Sequence, residues 1–531
     1  MNLDYHCPYP SQRMPLMARN VVATSQPLAA QAGLRMLLLG GNAVDATIAA
    51  AATLTVVEPT SNGLGSDAFA LVWDGTRLHG LNASGRSPRA LRPERFAGAE
   101  TMPYSGWDSV TVPGAVSAWV ALHERFGSLS LETLLAPAVT YAAEGFAVSP
   151  ITARAWSLSQ GRFADHADWQ RAFAPGGTTP RTGETWRFPD QARSLTRIAE
   201  TAGEAFYRGD LADAMAAHAR SGGGLLEHDD LAGHRPEWVA PLSTAYGGFE
   251  LHELPPNGQG LAALIALGIL RHRPDLHDHA LDSPGWLHLQ IEALKLALAD
   301  AERWIADPDH MTEVGAAQLL DDAYLAERAA LIDATRAGDP GHGTPPAGGT
   351  VYLSAADEAG RMVSFIQSNY AGFGSGVVVP GTGIALQNRG AGFVLTPGHP
   401  NRVAGGKRPF HTIIPAFLTE AGAPRCSFGV MGGPMQAQGH VQMTLRLVDQ
   451  RQNPQAASDA PRWRVLAGRR LAVEASLSAA TLQALLELGH DVNVTPPDQS
   501  FGFGGAQLVW RDEEGYVAGS DHRKDGQAVG Y

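Results

Sequence analysis

Apolar side chains recur with helical spacing over most of the first two thirds of the chain. Glycine pairs such as Gly40-Gly41 interrupt these stretches and mark the ends of helices. Asn42 directly precedes the most apolar stretch and can accept hydrogen bonds from the first backbone N–H groups of a helix. The pattern therefore predicts helices over residues 27–39, 43–57, 114–125, 131–144, 194–202, 261–270, 283–305 and 316–331.

After residue 350 the spacing changes to an alternation that is typical of strands. Residues 351–357 and 361–368 predict two strands joined by a turn at Glu358-Ala359-Gly360. The remaining elements that bear on the site are strands at 68–73 and 424–431 and helices at 435–450 and 478–488. No internal repeat is visible, so the sequence predicts one mixed α/β protein whose character changes at Thr350, not two clearly separate domains.

Composition narrows the class of partner. The 531 residues carry a net charge of −13 without a basic cluster, so a small molecule is expected as partner and a nucleic acid is not. Residues 43–57 are too short and too rich in alanine to cross a bilayer, and Asp45 interrupts them, so no membrane partner is expected. Residues 1–10 lack the basic start and apolar run of a signal peptide, which favours a cytoplasmic protein.

Cysteines and histidines do not form a metal-binding pattern. Cys7 and Cys426 are too few for a disulfide framework. His272, His277, Asp278 and His279 cluster, but their spacing matches no standard zinc site, and a solvated turn explains them. The chain also lacks a Gly-x-Ser-x-Gly sequence and a phosphate-binding lysine loop. No metal site is predicted.

Thr350 stands between a Gly/Pro-rich segment, residues 334–349, and a predicted strand. Such a segment should be exposed and flexible, so a cut there would cost little structure. A cut between Gly349 and Thr350 would give the threonine a free α-amine. With a pKa near ~8, this amine can take the hydroxyl proton at neutral pH, which a peptide nitrogen cannot. A Gly-Thr step also begins many ordinary strands, and the dipeptide alone does not decide between these interpretations.

Two further glycine-rich places are open to two interpretations. Gly432-Gly433 separates a predicted strand from a predicted helix, where consecutive backbone N–H groups can form an oxyanion hole or where a turn simply requires positive φ. Residues 372–383 contain several glycines that allow close approach of backbone to a ligand, or that build a tight β-meander.

Several motifs in order over nearly the whole chain resemble the gamma-glutamyltransferase family, proenzymes of the N-terminal nucleophile hydrolase superfamily. The motifs are Ala23-Thr24-Ser25 with Pro27-Leu28-Ala29, Gly40-Gly41-Asn42-Ala43-Val44-Asp45-Ala46, Val57-Glu58-Pro59, Val112-Pro113-Gly114, the strand at Thr350, residues 373–383, Lys407-Arg408-Pro409, and Asp521-His522-Arg523-Lys524-Asp525-Gly526. The resemblance implies a four-layer αββα sandwich. It also implies self-cleavage into a large subunit, residues 1–349, and a small subunit, residues 350–531, which stay together as a heterodimer. Whether that heterodimer pairs further is left open.

The resemblance also assigns the chemistry. Thr350 is the implied nucleophile, which first attacks the Gly349 carbonyl and later forms an acyl-enzyme with amide substrates. Ser368 falls where the family has a second hydroxyl, usually a threonine, that hydrogen-bonds the nucleophile. Gly432 and Gly433 fall on the oxyanion-hole pair. Amine, hydroxyl and backbone donors then supply the chemistry, so neither a metal nor an organic cofactor is expected.

The substrate-binding positions depart from the glutamyl-specific pattern. Where that pattern holds the substrate's α-ammonium with an Asn, a Gln and an Asp, this chain has Tyr370, Arg389 and Gly392. An unpaired ammonium in a closed site costs about 1–3 kcal/mol, so recognition of the α-amine should be weak. A shorter connection at residues 395–407 predicts a more open site.

The positions for the substrate carboxylate have changed as well. The family's arginine falls on Ser84, with Arg86 two positions later, and its two serines fall on His411-Thr412. Arg86 and Arg389 could bind a carboxylate through two hydrogen bonds each, although ordinary salt bridges would also explain them. The predicted substrate-binding residues are Arg86, Asn369, Tyr370, Arg389, His411 and Thr412.

The function implied by the resemblance is self-processing hydrolysis or acyl transfer on gamma-glutamyl amides, with glutathione as the default substrate. These departures resemble the cephalosporin-acylase-like branch of the family, so an acylase for des-amino, glutaryl-like acyl amides is the alternative enzyme. A protein of another class, uncleaved and serving only as a binding partner, is the remaining alternative. Intact Thr350, Ser368 and Gly432-Gly433 argue against it.

Overall fold

The computed structural model describes residues 13–340 and 349–531 of the 531-residue chain. The sequence predictions for residues 1–10, including Cys7, lie outside the described residues. Those for residues 341–348 of the Gly/Pro-rich segment lie outside them as well.

Twenty-one strands are present in the described part of the chain. They are β1 Leu16–Ala18, β2 Val21–Thr24, β3 Asp67–Trp73, β4 Leu78–Asn82, β5 Phe146–Ala147, β6 Thr185–Trp186, β7 Glu237–Val239, β8 Leu242–Tyr246, β9 Phe249–Glu253, β10 Gly349–Ala356, β11 Met362–Tyr370, β12 Val378–Val379, β13 Ile384–Ala385, β14 Ala416–Glu420, β15 Ala423–Val430, β16 Trp463–Ala467, β17 Arg470–Glu474, β18 Asp491–Thr495, β19 Ala506–Arg511, β20 Tyr516–Ser520 and β21 Gln527–Gly530.

The same residues form seventeen α-helices. They are α1 Pro27–Leu38, α2 Ala43–Val57, α3 Ala115–Phe126, α4 Leu131–Glu144, α5 Pro150–Ser159, α6 Ala167–Phe173, α7 Pro189–Glu200, α8 Glu204–Tyr207, α9 Asp210–Ser221, α10 His228–Ala232, α11 Gly260–Arg271, α12 Pro284–Trp304, α13 Ala316–Leu319, α14 Asp322–Ala330, α15 Met435–Val448, α16 Pro454–Asp459 and α17 Ala479–Glu487.

Two seven-stranded sheets form the centre of the protein. The first has the order β21-β2-β10-β11-β3-β4-β7, and the second has the order β1-β20-β19-β15-β14-β9-β8. Successive side chains of a strand point to opposite faces, and two neighbouring residues of β11 show this alternation. Phe365 packs in the cluster shared with α2 on the outer face of the first sheet, whereas Ile366 packs against Phe417 of the second sheet.

A third apolar cluster covers the outer face of the second sheet, where Phe428 packs with Leu264 of α11, Leu294 of α12 and Val441 of α15. Three apolar interfaces separate four layers, in the order helices, sheet, sheet, helices. The predicted αββα sandwich is therefore confirmed.

The most apolar predicted helix forms as the sequence indicates. The Asn42 side chain accepts hydrogen bonds from Val44 N and Asp45 N, and the Asp45 side chain accepts from Asn42 N, so both ends of a capping box are present. Every residue of α2 is buried. The prediction of a buried helix in place of a membrane span is in keeping with this, and the described residues contain no helix with the length and apolarity to cross a membrane.

Two predicted helices differ in their limits. The helix predicted over 316–331 is two helices, because Asp321 leaves the helix and caps the next one by accepting a hydrogen bond from Tyr324 N. The helix predicted at 194–202 begins earlier, since Pro189 occupies its first turn, where a missing N–H costs nothing.

The predicted hairpin around Thr350 is present as β10 and β11. The two strands pair antiparallel, with Tyr352 opposite Ile366 and Ala356 opposite Met362. Their register shifts between Gly349 and Val351, so Thr350 lies at a bulge at the start of β10. A bulge re-aims side chains, and this one sits at the predicted cleavage position.

Candidate active site

Thr350 and Ser368 are brought together by the β10–β11 pairing. Thr350 Oγ1 donates a hydrogen bond to Ser368 Oγ at 3.2 Å, and Thr350 is 1% exposed. Ser368 Oγ also accepts a hydrogen bond from the backbone N–H of Tyr370 at 2.8 Å. The predicted partner hydroxyl is thus fixed in position beside the candidate nucleophile.

Gly432 and Gly433 form a turn between β15 and α15, with φ angles of 116° and 61°. Side chains with a Cβ rarely adopt such angles. A Cβ on Gly432 would also lie 3.1 Å from Gly504 Cα, in a tight approach of two backbone segments. Both interpretations of this pair are therefore compatible, since a turn that needs positive φ can also present backbone donors.

Gln259 holds this turn to a neighbouring segment of the site. Its side-chain amide donates to Gly433 O at 2.9 Å and also to Thr412 O. The backbone N–H of Gln259 donates to His411 O at 2.9 Å. The oxyanion-hole candidate and the predicted substrate-binding pair His411-Thr412 are consequently parts of one hydrogen-bonded unit.

Gln436 contacts the candidate nucleophile and was not predicted from the sequence. Its Nε2 donates to Thr350 Oγ1 at 3.3 Å, and its Oε1 accepts from Ile414 N at 3.0 Å. A buried glutamine on a helix carries no motif. The one signal that could have identified it is its place in the first turn of α15, three residues after Gly433.

Arg389 is buried beside Tyr370. Its Nη1 donates to Thr412 Oγ1 at 2.8 Å, and its guanidinium carbon lies 4.8 Å from the centre of the Tyr370 ring. Burial lowers the pKa of Arg389 to about 10, so the side chain is still a cation at neutral pH. Its Nε and Nη2 are buried without a hydrogen-bond partner among the described residues. A buried cation with unused donors is a suitable binding group for a carboxylate.

Tyr370 and Tyr104 lie together beside Arg389. Their rings lie 5.8 Å apart with a T-shaped geometry, and the buried Tyr104 hydroxyl has no partner among the described residues. Burial raises the pKa of both phenols, so each keeps its proton and can donate a hydrogen bond. Tyr104 was not predicted from the sequence.

His411, the other member of the predicted pair, is committed to Asp67. Its Nδ1 accepts from Ile413 N at 3.3 Å, which leaves the proton on Nε2, 3.1 Å from Asp67 Oδ2. Burial lowers the pKa of His411 and raises that of Asp67 to about 7, although the charges of Arg389 and Arg408 favour the carboxylate. Asp67 lies opposite Ser368 in the β3–β11 register. The His411–Asp67 contact therefore joins His411 to the strand next to Ser368.

Asn369 lies between Ser368 and Tyr370. Its Oδ1 accepts a hydrogen bond from Ser66 Oγ at 2.9 Å, and its buried Nδ2 has no partner within residues 13–340 and 349–531. Neither observation joins Asn369 to Thr350, and its assignment to the substrate stays a prediction.

Arg86 is held in a different group of contacts. Its Nη1 lies 2.8 Å from Asp307 Oδ2, and its Nη2 lies 3.8 Å from carboxylate oxygens of Glu237 and Asp309. Such salt bridges were the alternative explanation for this arginine. None of these contacts joins Arg86 to Thr350, and its assignment to the substrate stays a prediction.

The described residues include one buried group with the geometry of metal ligands, His288, Glu292 and His490. His288 Nδ1 and His490 Nε2 are already 2.8 Å apart in a hydrogen bond, and Lys295 Nζ donates to Glu292 Oε1 at 2.7 Å. His490 Nδ1 is buried without a partner among the described residues. The group belongs to α12 and the segment before β18, and none of these contacts joins it to Thr350.

The raised pKa of Asp67 predicts a pH effect on stability. An unfolded aspartate titrates near ~3.9, whereas folded Asp67 titrates at about 7, so between these values the folded protein binds more protons. The contribution of Asp67 to the free energy of unfolding therefore falls as the pH rises from about 4 to about 7.

We expect Asp67→Asn, which cannot titrate, to remove this dependence. The difference in free energy of unfolding, variant minus parent protein, should increase as the pH rises through this window. Urea titrations at several pH values, made in a Thr350→Ala background so that the chain stays in one piece, measure the difference. A difference independent of pH would contradict the raised pKa.

Comparison with known proteins gives matches over nearly the full length. A model of the gamma-glutamyltranspeptidase family matches residues 29–531. The glutathione hydrolase-like YwrD proenzyme of Bacillus subtilis is 37% identical over 97% of this chain and 100% of its own. The oxamate amidohydrolase proenzyme of Klebsiella pneumoniae is 36% identical over 95% of this chain and 97% of its own. The crystal structure of cephalosporin acylase from Bacillus halodurans has a TM-score of 0.94 at 48% identity, covering 100% of this chain and 99% of that one.

Proposed function

Since the chain belongs to the gamma-glutamyltranspeptidase family, we propose that it is a self-processing amide hydrolase that cleaves gamma-glutamyl, glutathione-type amides through an acyl-Thr350 intermediate. The observation that carries the proposal is the hydrogen bond of 3.2 Å from Thr350 Oγ1 to Ser368 Oγ. Thr350 directly follows Gly349, the residue on the other side of the predicted cleavage site. The relatives named as proenzymes, a glutathione hydrolase-like protein and an oxamate amidohydrolase, support self-processing and amide hydrolysis.

Maturation would begin at the Gly349–Thr350 peptide bond. The Thr350 hydroxyl oxygen attacks the Gly349 carbonyl carbon, and a C–O ester bond forms as the C–N bond breaks. The hydroxyl proton passes to the leaving nitrogen, which becomes the α-amine of Thr350. Water then hydrolyses this ester, which releases the Gly349 carboxylate and leaves Thr350 with a free hydroxyl and α-amine.

Turnover would use the same atoms. The α-amine takes the hydroxyl proton, Oγ attacks the substrate carbonyl, and the backbone donors of Gly432 and Gly433 stabilise the oxyanion. The leaving amine departs with a proton, and water or an acceptor amine resolves the acyl-enzyme. Ser368 holds the hydroxyl in place throughout.

The two products of cleavage, residues 1–349 and 350–531, would remain associated as a heterodimer. Their strands alternate in the first sheet, where β2 of the large fragment pairs with both β10 and β21 of the small one. Separation would break these ladders and expose the apolar cluster between the sheets. A cytoplasmic location and any further dimerisation stay predictions from the sequence.

One observation favours a second candidate, an acylase for des-amino acyl groups that end in a carboxylate. Arg389 presents unused donors where the glutamyl-specific pattern has an amide, and the acidic position of that pattern is Gly392. A Cβ on Gly392 would lie 2.6 Å from Phe410 O, so an aspartate there would require a shift of the backbone. The site therefore favours a carboxylate over an α-ammonium.

Substrate choice tests these two candidates. We expect the mature enzyme to discriminate little between a gamma-glutamyl anilide and a glutaryl anilide, which lacks only the α-amine, because the acidic position of the glutamyl-specific pattern is Gly392 in this chain. The ratio of their kcat/KM values measures the difference. A preference for gamma-glutamyl above roughly a hundredfold, about 2.7 kcal/mol at ~1.36 per tenfold, would mean that another residue binds the amine.

Arg389→Gln provides the control for this comparison. It should lower kcat/KM for the glutaryl anilide by about tenfold or more and leave that for a butyryl anilide, which has no carboxylate, nearly unchanged. Equal losses on both anilides would indicate a general disturbance of the site, not a lost carboxylate contact.

A further inference from the structure

Gln436 is the side chain that touches the nucleophile from the helix side, and its orientation is fixed by its partners. Ile414 N–H is a donor, so the atom facing it at 3.0 Å must be the amide oxygen. The NH₂ group therefore faces Thr350 Oγ1 at 3.3 Å and donates to it. Thr350 Oγ1 thus accepts from Gln436 while it donates to Ser368.

The backbone of Gln436 is tied to the oxyanion-hole turn. Its N–H donates to Gly433 O at 3.1 Å, and the whole residue is buried. A donor held rigidly by its own backbone and by a second hydrogen bond needs little reorganisation when charge develops in front of it.

Charge develops on Thr350 Oγ at a definite step. When water attacks an ester carbonyl attached to Thr350, the bond between the carbonyl carbon and Oγ breaks and its electron pair goes to Oγ, which then takes a proton. This happens when the ester from self-cleavage is hydrolysed and again when the acyl-enzyme is hydrolysed. A hydrogen bond donated to Oγ lowers the energy of that leaving oxygen.

We infer that Gln436 is a catalytic residue whose side-chain amide donates a hydrogen bond to Thr350 Oγ and speeds hydrolysis of both Thr350 esters. The inference rests on the proposed function, because it assigns Gln436 a step at Thr350. A purely structural role would need only the amide oxygen, which receives Ile414 N–H. The two ends of the amide can therefore be tested separately.

The first test compares Gln436→Met with Gln442→Met. Gln442 lies on the same helix, is equally buried, and donates to Trp463 O at 2.9 Å, so its loss removes a buried amide without touching Thr350. With a glutaryl anilide as substrate, Gln436→Met should lower kcat by about tenfold or more and raise the fraction of acyl-enzyme seen by intact mass after rapid quenching. Gln442→Met should change neither by more than about twofold.

Self-cleavage gives a readout that needs no substrate. Gln436→Met should accumulate the uncleaved ester form, which hydroxylamine splits to give a fragment beginning at Thr350. Equal cleavage rates and equal acyl-enzyme levels in the two methionine variants would overturn the inference. It would also be overturned if Gln436→Met stays uncleaved, has the same thermal midpoint as Gln442→Met and contains no hydroxylamine-sensitive ester. Wild-type protein that is not cut at Gly349–Thr350 would instead contradict the proposed function.

Gln436→Glu keeps the acceptor for Ile414 N–H and serves if the methionine variant does not fold. Its second oxygen cannot donate to Oγ while ionised, but a buried glutamic acid has a raised pKa and can donate when protonated. The kcat of this variant relative to wild type should therefore increase as the pH falls. A ratio that is constant with pH would overturn the donor role.

Discussion

Replacing Thr350 by alanine is expected to leave the protein as a single chain of 531 residues, without activity on amide substrates. The variant lacks the oxygen that would attack the Gly349 carbonyl and that donates the hydrogen bond to Ser368 Oγ. Wild-type protein should run as two pieces on a denaturing gel, the smaller with Thr350 at its N-terminus. N-terminal sequencing identifies the bond that is cut.

Two controls accompany this comparison. Ser354→Ala removes another buried hydroxyl from the same strand, one that contacts Ser427 of the second sheet, and should still be cleaved. Thr350→Ser keeps the nucleophilic oxygen and should be cleaved as well. Two bands from Thr350→Ala, cut at the same bond, would exclude self-cleavage by this hydroxyl. A wild-type chain that is neither cut nor active would favour the alternative of a non-catalytic binding protein.

The sequence pattern predicts the local elements better than their assembly. The helix cap at Asn42 and the β10–β11 hairpin depend on neighbouring residues, and both form as predicted. The assembly into two stacked sheets depends on pairs far apart in the chain, such as β2 with β21 and β1 with β20. Neither periodicity nor turn chemistry carries that information, and the αββα architecture was expected only from the resemblance to a family.

The same division holds for the active site. Thr350 and Ser368 are close because their strands form a hairpin, which a sequence can indicate. Gln436 and Tyr104 reach the site from α15 and from a loop before α3, and neither belongs to a recognisable motif. The one local signal for Gln436 is its position three residues after Gly433. Arg86 shows the opposite case, since a charge near a family position suggested a substrate contact while Asp307, distant in sequence, holds the guanidinium.

Gly433→Val is expected to lower kcat by about a hundredfold or more, with a smaller change in KM. Gly433 has a φ of 61°, which a β-branched residue adopts only with strain, so the backbone of the turn should shift. An oxyanion hole stabilises the transition state more than the bound substrate, and losing one donor costs roughly 10²–10³ in rate. Steady-state kinetics on the glutaryl anilide, with the cleavage rate followed on gels, measures both effects.

Gly422→Val is the matched control for this substitution. Gly422 also has a positive φ, 78°, in the turn between β14 and β15, and a Cβ there would meet no atom within 4 Å. The variant should lose some stability from the same kind of backbone strain and keep its kcat. Only a loss of rate specific to Gly433→Val assigns the turn to catalysis. Full activity and normal cleavage in Gly433→Val would remove the oxyanion hole from this turn, whereas equal losses in both variants would assign the effect to strain alone.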